Sequence, residues 1–460
     1  MNDLYKEQTI YIIHYPKGLD ANYSMDVIKR IDISNSKIYH LCTTYGGSSG
    51  SPILNLQNYK VIGIHSGKHN KYELNIGTLI KGPLNEFKKL SKKEKVLEQC
   101  EHQIKKIKKN EIYMILEILE EDINKPAYFL YDSYAHEDDD FKELKNPELI
   151  DIKKLDIIIF INDIEMKEKN KFFIPEKKGF YKIKIVFKYQ IINCKSMFAH
   201  CKKIIEIDLS EFDTQNAINM DFMFCGCISL KNINLSDFDT QNVTNFSYML
   251  ANCGKLTSLN LSSFDTKNVN DMSGLFALSD KLTNLNISSF DTRNVTTMNN
   301  MFRETDLMEL DLSFFDTKNV KDMCHMLAGM PRLKYLNISS FDTSNVTDMR
   351  GMFRGNNYSK LDLTNFNTEN VINMSFMFSE SGVIDEMDIS SFNTKNVTDM
   401  NGMFSLTKIK NLDLSNFDTR NVTDMEMMFY DCEELTNLNL SSFDTKKVIK
   451  MKKCFMDVLI

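Results

Sequence analysis

Apolar and polar positions along this 460-residue chain fall into one fixed arrangement from about residue 191 onward. In one copy, Leu259 and Leu261 alternate with Ser258, Asn260 and Ser262, the period of a half-buried strand. Phe264 follows, and Asp265 and Thr266 supply turn chemistry. Val269, Met272, Leu275 and Phe276 then recur at spacings that predict a short helical or 3₁₀ return segment packed inward. The phrase Phe-Asp-Thr or Phe-Asn-Thr returns ten times, with its phenylalanines at 212, 238, 264, 290, 315, 341, 366, 392, 417 and 443. A step of 25 or 26 residues marks a solenoid, in which each unit buries its apolar face only against its neighbours. Stacked strands lie about 4.7–4.9 Å apart, so ten coils predict a body roughly 45–50 Å long.

Ahead of the repeats the pattern is different. Apolar runs at 112–118, 127–131, 157–161 and 181–187 read as strands, the last with one wet face. They predict a small β-rich domain that caps the first coil, because solenoid ends need covering. Lys88 to Lys109 is dense in Lys and Glu and reads as an exposed helix and linker. Four segments result: 1–92, a charged linker at 93–110, a capping domain at 111–190, and the solenoid at 191–460.

In-phase columns define the repeat. Met-Phe pairs such as Met301-Phe302, Met352-Phe353 and Met403-Phe404 account for much of a methionine count of 27, and their phase assigns them to the core, not to a metal or haem site. Asn216, Asn242, Asn268, Asn294, Asn319, Asn345, Asn370, Asn396 and Asn421 predict an asparagine ladder joining adjacent coils. Asn294, Asn345, Asn396 and Asn421 also begin Asn-Val-Thr, the glycosylation sequon, with which a buried ladder is incompatible. Cys201, Cys227, Cys253 and Cys432 share one phase and read as small buried thiols, without disulfide or zinc spacing. The acidic run His136 to Asp140 lacks the spaced ligands and glycine of a calcium loop. No metal and no cofactor is expected.

Composition narrows the classes. A net charge of −7 gives no general attraction to nucleic acid. No apolar run reaches the roughly 18–20 residues that cross a membrane. The opening residues lack a signal-peptide pattern, which places the chain as written in the cytoplasm, or at the cell surface if a segment precedes it. The apolar finish from Cys454 to Ile460 predicts an uncapped last coil, open to self-association.

The repeat phrase, its period and the phase of Met-Phe resemble the roughly 26-residue repeat of bacterial and protist surface proteins, a relative of leucine-rich repeats. The resemblance covers about 191–460 and implies a ligand-binding or adhesive solenoid.

A second motif lies near the start. Gly47-Ser48-Ser49-Gly50-Ser51-Pro52 places a serine on a tight glycine-flanked loop, and the apolar segment from Val61 to His65 follows as a strand. Over about residues 8–92 this resembles trypsin-like serine proteases, most closely the glutamyl endopeptidase branch. The resemblance implies Ser49 as nucleophile, the N–H groups of Gly47 and Ser49 as oxyanion hole, and His65 and Thr44 in the pocket that receives an acidic side chain. The family's catalytic histidine and aspartate belong to a first barrel that does not precede Ser49 here. His14 and His40 lack the family's context and read as strand residues. A serine without its base is a weak nucleophile at neutral pH.

The expected fold is therefore mainly β with short helices. It comprises an incomplete trypsin-like β-barrel, a β-rich cap and a leucine-rich-repeat-like parallel β solenoid. The expected function is an interaction protein whose solenoid binds a protein or glycan through its strand face, carrying a truncated, inactive protease domain. The alternative is a serine endopeptidase with acidic-residue preference, its first barrel supplied upstream and the solenoid selecting targets.

Overall fold

The computed structural model describes the backbone of six strands between residues 9 and 79 and, with side chains, residues 108–132, 149, 151–358, 361–382 and 387–458. The chain divides into two compact units, 1–107 and 108–460.

In the first unit, β1 (Thr9–His14), β2 (Asn22–Asp32), β3 (Lys37–His40), β4 (Pro52–Asn55), β5 (Lys60–Lys68) and β6 (Asn75–Leu79) are all antiparallel. They close into a barrel in the order β1-β2-β3-β6-β5-β4, with β1 pairing β4. A small barrel needs strongly coiled strands. Register shifts at Ile28/Arg30, Ile53/Leu54 and His65/Gly67 supply that local twist.

The second unit opens with β7 (Glu111–Ile118), followed by β8 (Ala127–Tyr128), β9 (Ile157–Ile161), β10 (Ile164–Glu165), β11 (Phe172–Phe173) and β12 (Gly179–Phe187). Alternation decides which face is buried: Ile112, Met114, Leu116 and Ile118 of β7 point inward, with Ile183, Ile185 and Phe187 of β12. β13 (Ile204–Asp208) and β14 (Asn232–Asn234) complete one six-stranded sheet, ordered β10-β9-β12-β7-β13-β14. β7 pairs β13 antiparallel, whereas β13 pairs β14 parallel. The sheet thus passes without a break from antiparallel hairpin pairing into the parallel stacking of the repeats.

Thereafter β15 (Ser258–Asn260), β16 (Asn284–Asn286), β17 (Glu309–Asp311), β18 (Tyr335–Asn337), β19 (Asn411–Asp413) and β20 (Asn437–Asn439) are one short strand per coil. Leu259 faces Leu285, Leu310 faces Leu336, and Leu412 faces Leu438, all in parallel register. A second line of parallel bridges runs from Asn193 through Asp271, Asp322, Asp348 and Asp399 to Lys450. The repeat region is a β solenoid, as its period predicts.

Its core is the Met-Phe stripe. Phe353, Phe378, Phe404 and Phe429 are fully buried, and successive rings stack at 5.8, 5.7 and 6.0 Å. Each such side chain contributes on the order of 1.5–3 kcal/mol by leaving water. The in-phase cysteines are buried free thiols; Cys227 Sγ donates to the Phe198 carbonyl at 3.1 Å, and burial pushes the Cys201, Cys227 and Cys253 thiols up.

The expected short helices are a correction. Among the described residues the helical elements are two three-residue 3₁₀ turns, Glu120–Asp122 and Ile152–Lys154, both ahead of the solenoid. The return segment is a chain of tight turns whose N–H groups alternate. Leu275 and Ala277 donate within their own coil, to Met272 and Gly274; Gly274, Phe276 and Leu278 donate to Asn299, Met301 and Arg303 of the next. A helix would keep all of these bonds inside one coil. The alternation requires left-handed residues, such as Tyr248, Asn300 and His325 with φ of 53°, 56° and 51°. The spacing of three and one that reads as helix is the spacing of these turns.

The Asp-Thr step also does more than turn the chain. Asp265 Oδ1 accepts the Lys267 N–H, but the Thr266 hydroxyl donates to the Asp291 carbonyl at 2.9 Å and accepts the Asp291 N–H at 2.7 Å. The same pair of bonds links Thr292 to Asp316 and Thr317 to Asp342, and these threonines are at most 1% exposed. The asparagine ladder is present too: Asn268 Nδ2 donates to the Gln241 carbonyl at 2.7 Å, and Asn294 and Asn345 repeat the contact with Lys267 and Lys318. It lies on the exposed edge and is not buried, so the threonines, not the asparagines, are the buried polar seam. No helix of the described residues is long and apolar enough to cross a membrane.

Candidate functional site

The sequence singles out Ser49, Gly47, Thr44 and His65. Ser49, Gly47 and Thr44 lie outside the described residues, as does the acidic run His136 to Asp140. His65 lies on β5, where its backbone pairs with Gly77 beside the register shift at Gly67. His14 pairs with Asn22 at the end of β1, and His40 with Asn75 at the end of β3.

The described side chains place the richest chemistry on the solenoid. Each coil presents a strand face, centred on residues such as Ser258–Asn260, and a turn face, centred on residues such as Asp271–Leu278. On the strand face the outward carboxylates and amides are committed to local turns. Asn260 Oδ1 accepts the Ser262 N–H at 3.1 Å, Asp311 that of Ser313 at 2.9 Å, and Asp413 that of Ser415 at 2.9 Å. These N–H groups hold the Asp311 and Asp413 carboxyls below the usual carboxylate range.

The turn face begins with the bridge column: Asn245, Asp271, Thr297, Asp322, Asp348, Asn373, Asp399 and Asp424. The Asp and Asn members accept the N–H two residues on, as Asp322 does from Cys324 and Asp348 from Arg350. Carboxylates one or two coils apart are half-buried and alike in charge. Burial first, opposed by the bond from Arg350 and then reinforced by Asp322 and Asp399, leaves Asp348 above the ordinary range. Asp399 is raised by burial and then, past the Asn401 bond that lowers it, by Asp424.

Three residues beyond each bridge residue stands a left-handed position: Tyr248, Gly274, Asn300, His325, Gly351, Phe376, Gly402 and Met427. Large side chains here lie flat over the glycine of the following coil. A Cβ on Gly351 would stand 2.1 Å from His325 Nδ1, and one on Gly402 2.4 Å from Phe376 Cε1. Large residue and glycine are thus a fitted pair, and the glycine also takes the left-handed φ without strain.

Basic groups gather at one place on this face. Arg350 Nε donates to Cys324 Sγ at 3.1 Å, and the Arg354 guanidinium lies 5.7 Å from the Phe376 ring while pairing with Glu380. Burial first, then Arg303, Arg350 and Arg354, holds the His325 imidazole below its usual value, neutral at physiological pH. Donor atoms of Asp322, Cys324 and Asp348 lie within 4.8 Å of one another, in a spacing that suits a cation; Arg350 supplies the positive charge there.

Sequence reasoning missed both the threonine seam and this left-handed column. A signal for the column exists: with the copies aligned on Phe-Asp-Thr, the residue before each Met or Leu of the core pair runs Tyr248, Gly274, Asn300, His325, Gly351, Phe376, Gly402 and Met427, while the Met or Leu that follows it hardly varies.

Three overlapping stretches, 192–313, 298–387 and 355–459, match a family described as Mycoplasma protein of unknown function, DUF285. Together they cover more than half of the chain and coincide with the solenoid; none reaches residues 1–191. No curated protein matches the chain.

Proposed function

The chain belongs to the DUF285 family, and from that premise we propose that it is a non-catalytic interaction scaffold whose turn face binds a protein or glycan ligand. One observation carries this reading. The columns that stack are nearly constant along the array, whereas the left-handed column and the position before it, with Arg350 and Glu426, vary in size, aromaticity and charge. Solenoids offer extended surfaces of this kind for recognition, and half-exposed Tyr, His, Phe and Arg side chains on a rigid backbone are the usual anchors of interfaces. The strand face carries its exposed large side chains, Met308 and Tyr335, in two adjacent coils, a shorter run than on the turn face.

The test is a protein and glycan array probed with the full chain, compared with a Tyr248→Ser/His325→Ser/Phe376→Ser variant. Serine already stands in this column at Ser196. Ligands of the parent should be lost by at least about tenfold in the variant and retained by Asn286→Ser on the strand face. Retention by the first variant and loss by the second would move the site to the strand face.

A second reading, serine endopeptidase activity in the first unit, draws support from the closed antiparallel barrel and from the place of His65 on β5. Labelling of the full chain by a fluorophosphonate, abolished by Ser49→Ala, would establish it. A folded chain that takes no label rules it out.

A further inference from the structure

The sheet formed by β9, β12, β7 and β13 has a second face, turned away from the core. Its side chains stand in register across the strands. Phe160 and Tyr113 flank Lys184, and Asp208 follows Tyr113; in the adjacent row Ile115 stands between Lys182 and Glu206. The first row is a closed network. The Lys184 ammonium lies 5.3 Å from the Tyr113 ring centre and 5.8 Å from that of Phe160, and it pairs with Glu111 at 3.0 Å, to which the Tyr113 hydroxyl also donates.

Beside this wall lies a shallow depression of about 500 Å³, lined by Ile115, Asn162, Asp163, Phe180, Lys182 and Ile205. Phe180, the second residue of β12, is 65% exposed. Asn162 and Asp163 form the β9–β10 turn with φ of 49° and 65°, the double left-handed turn that matches strand twist, and Asn162 Oδ1 accepts the Lys182 N–H at 2.9 Å. The rim is therefore as rigid as the sheet. Lys182 has no ion pair among the described residues.

The chemistry of this hollow is specific in kind. Its volume lies in the ~300–1,000 Å³ range of small-molecule sites, and its floor is apolar. Lys182 and Lys184 are outnumbered by Glu111, Asp163, Glu206 and Asp208, which disfavours a polyanion. The acids are interleaved with lysines and an amide, which disfavours a cation. What remains is a neutral ligand with one apolar face and a rim of groups that both donate and accept. A pyranose ring has that constitution: axial C–H bonds on one face, hydroxyls around the edge. An exposed aromatic ring offers the complementary plane.

We propose that this depression binds a neutral pyranose residue, which stacks on Phe180 and hydrogen-bonds through its hydroxyls to Lys182, Asn162 and Asp163. The site is independent of the turn face.

Saturation-transfer NMR on the full chain with maltotriose, cellotriose and N-acetylated chitotriose tests the proposal. At least one sugar should receive saturation on the protons of one ring face, with a dissociation constant on the order of 1 mM. Phe180→Ala should weaken it at least tenfold, Lys182→Met severalfold, and Phe180→Trp should preserve it. The triple turn-face variant should bind the sugar unchanged, which separates failure here from failure of the turn-face reading. Phe180 is exposed, so circular dichroism should show its alanine variant folded; Lys182→Met is the second probe if it is not. Absence of transfer from all three sugars at about tenfold above that constant, or transfer that survives Phe180→Ala, overturns the proposal. So does a concentration-dependent dimer in sedimentation that Phe180→Ala abolishes, because a second copy would then be the occupant.

Discussion

The two faces of the solenoid are built on the same coils and the same core, yet they hold their carboxylates in different surroundings. On the strand face, Asn260, Asp311 and Asp413 each receive a backbone N–H, while the outward residue two places before this position changes from Ser258 and Asn284 to Glu309 and Tyr335. On the turn face the bridge carboxylates also receive an N–H, but they are half-buried among their own kind, beside a column in which glycines are interspersed with tyrosine, asparagine, histidine, phenylalanine and methionine. The strand face exposes large side chains at Tyr335 and Met308, in two adjacent coils. The turn face carries Tyr248, His325, Arg350 and Phe376 over a longer run of coils, and this difference is what favours it as the proposed recognition surface.

If both faces hang on one core, a cut in the core must remove both. Phe353→Ala should cost about 3–5 kcal/mol, because the ring is fully buried and stacks on Phe378. The urea midpoint of the 108–460 unit reads the loss, and repeats on either side should lose protection from hydrogen exchange together. A local loss confined to one coil would mean that the array is not cooperative at that point.

A smaller effect is expected at the seam between the faces. Thr317→Val keeps the shape but leaves the Asp342 N–H and carbonyl without the hydroxyl that serves both. Stranding buried backbone groups costs about 1–3 kcal/mol. Asn286→Ala, which removes the acceptor for the Ser288 N–H on the exposed strand face, should stay within about 0.5 kcal/mol. Equal losses in the two variants would contradict the assignment of the threonines as the structural seam.

Much of this was readable in the sequence, for a physical reason. A solenoid places equivalent residues in contact, so phase alone reports burial: Met301, Phe302 and Cys253 are core because their counterparts are core. Phase does not report backbone conformation. Met272, Leu275 and Phe276 have a helix-like spacing, and only the bonding of alternate N–H groups to the next coil reveals turns with left-handed residues. Nor does phase tell a turn threonine from a bridging one, since Thr266 follows an aspartate that does form the turn. The asparagine ladder shows the remaining gap: its bonds followed from its period, but its exposure depends on which side of the bend each amide leaves.

The finest test of the comparison is pH. Burial and neighbouring carboxylates hold Asp348 and Asp399 above the unfolded value of 3.8, so the folded chain binds their protons more tightly than the unfolded chain does. The resulting penalty is absent below 3.8, grows as pH rises toward the folded value, and is complete above it. Asp348→Asn and Asp399→Asn should therefore stabilise the fold at pH 7, by no more than about 0.5 kcal/mol each, with a raised melting temperature, and lose that advantage in acid. Asparagine is compatible with the turn, as Asn373 of the same column accepts the Ser375 N–H. On the strand face the sign reverses. Backbone N–H donors hold Asp311 and Asp413 below 3.8, so their contribution is complete above 3.8 and is lost as pH falls through the folded value. Asp311→Asn should lower the melting temperature at pH 7 and become neutral in acid. Melting curves of the three variants between pH 3 and pH 7 decide the matter: opposite slopes on the two faces are expected, and parallel slopes would mean that their carboxylates share one electrostatic environment.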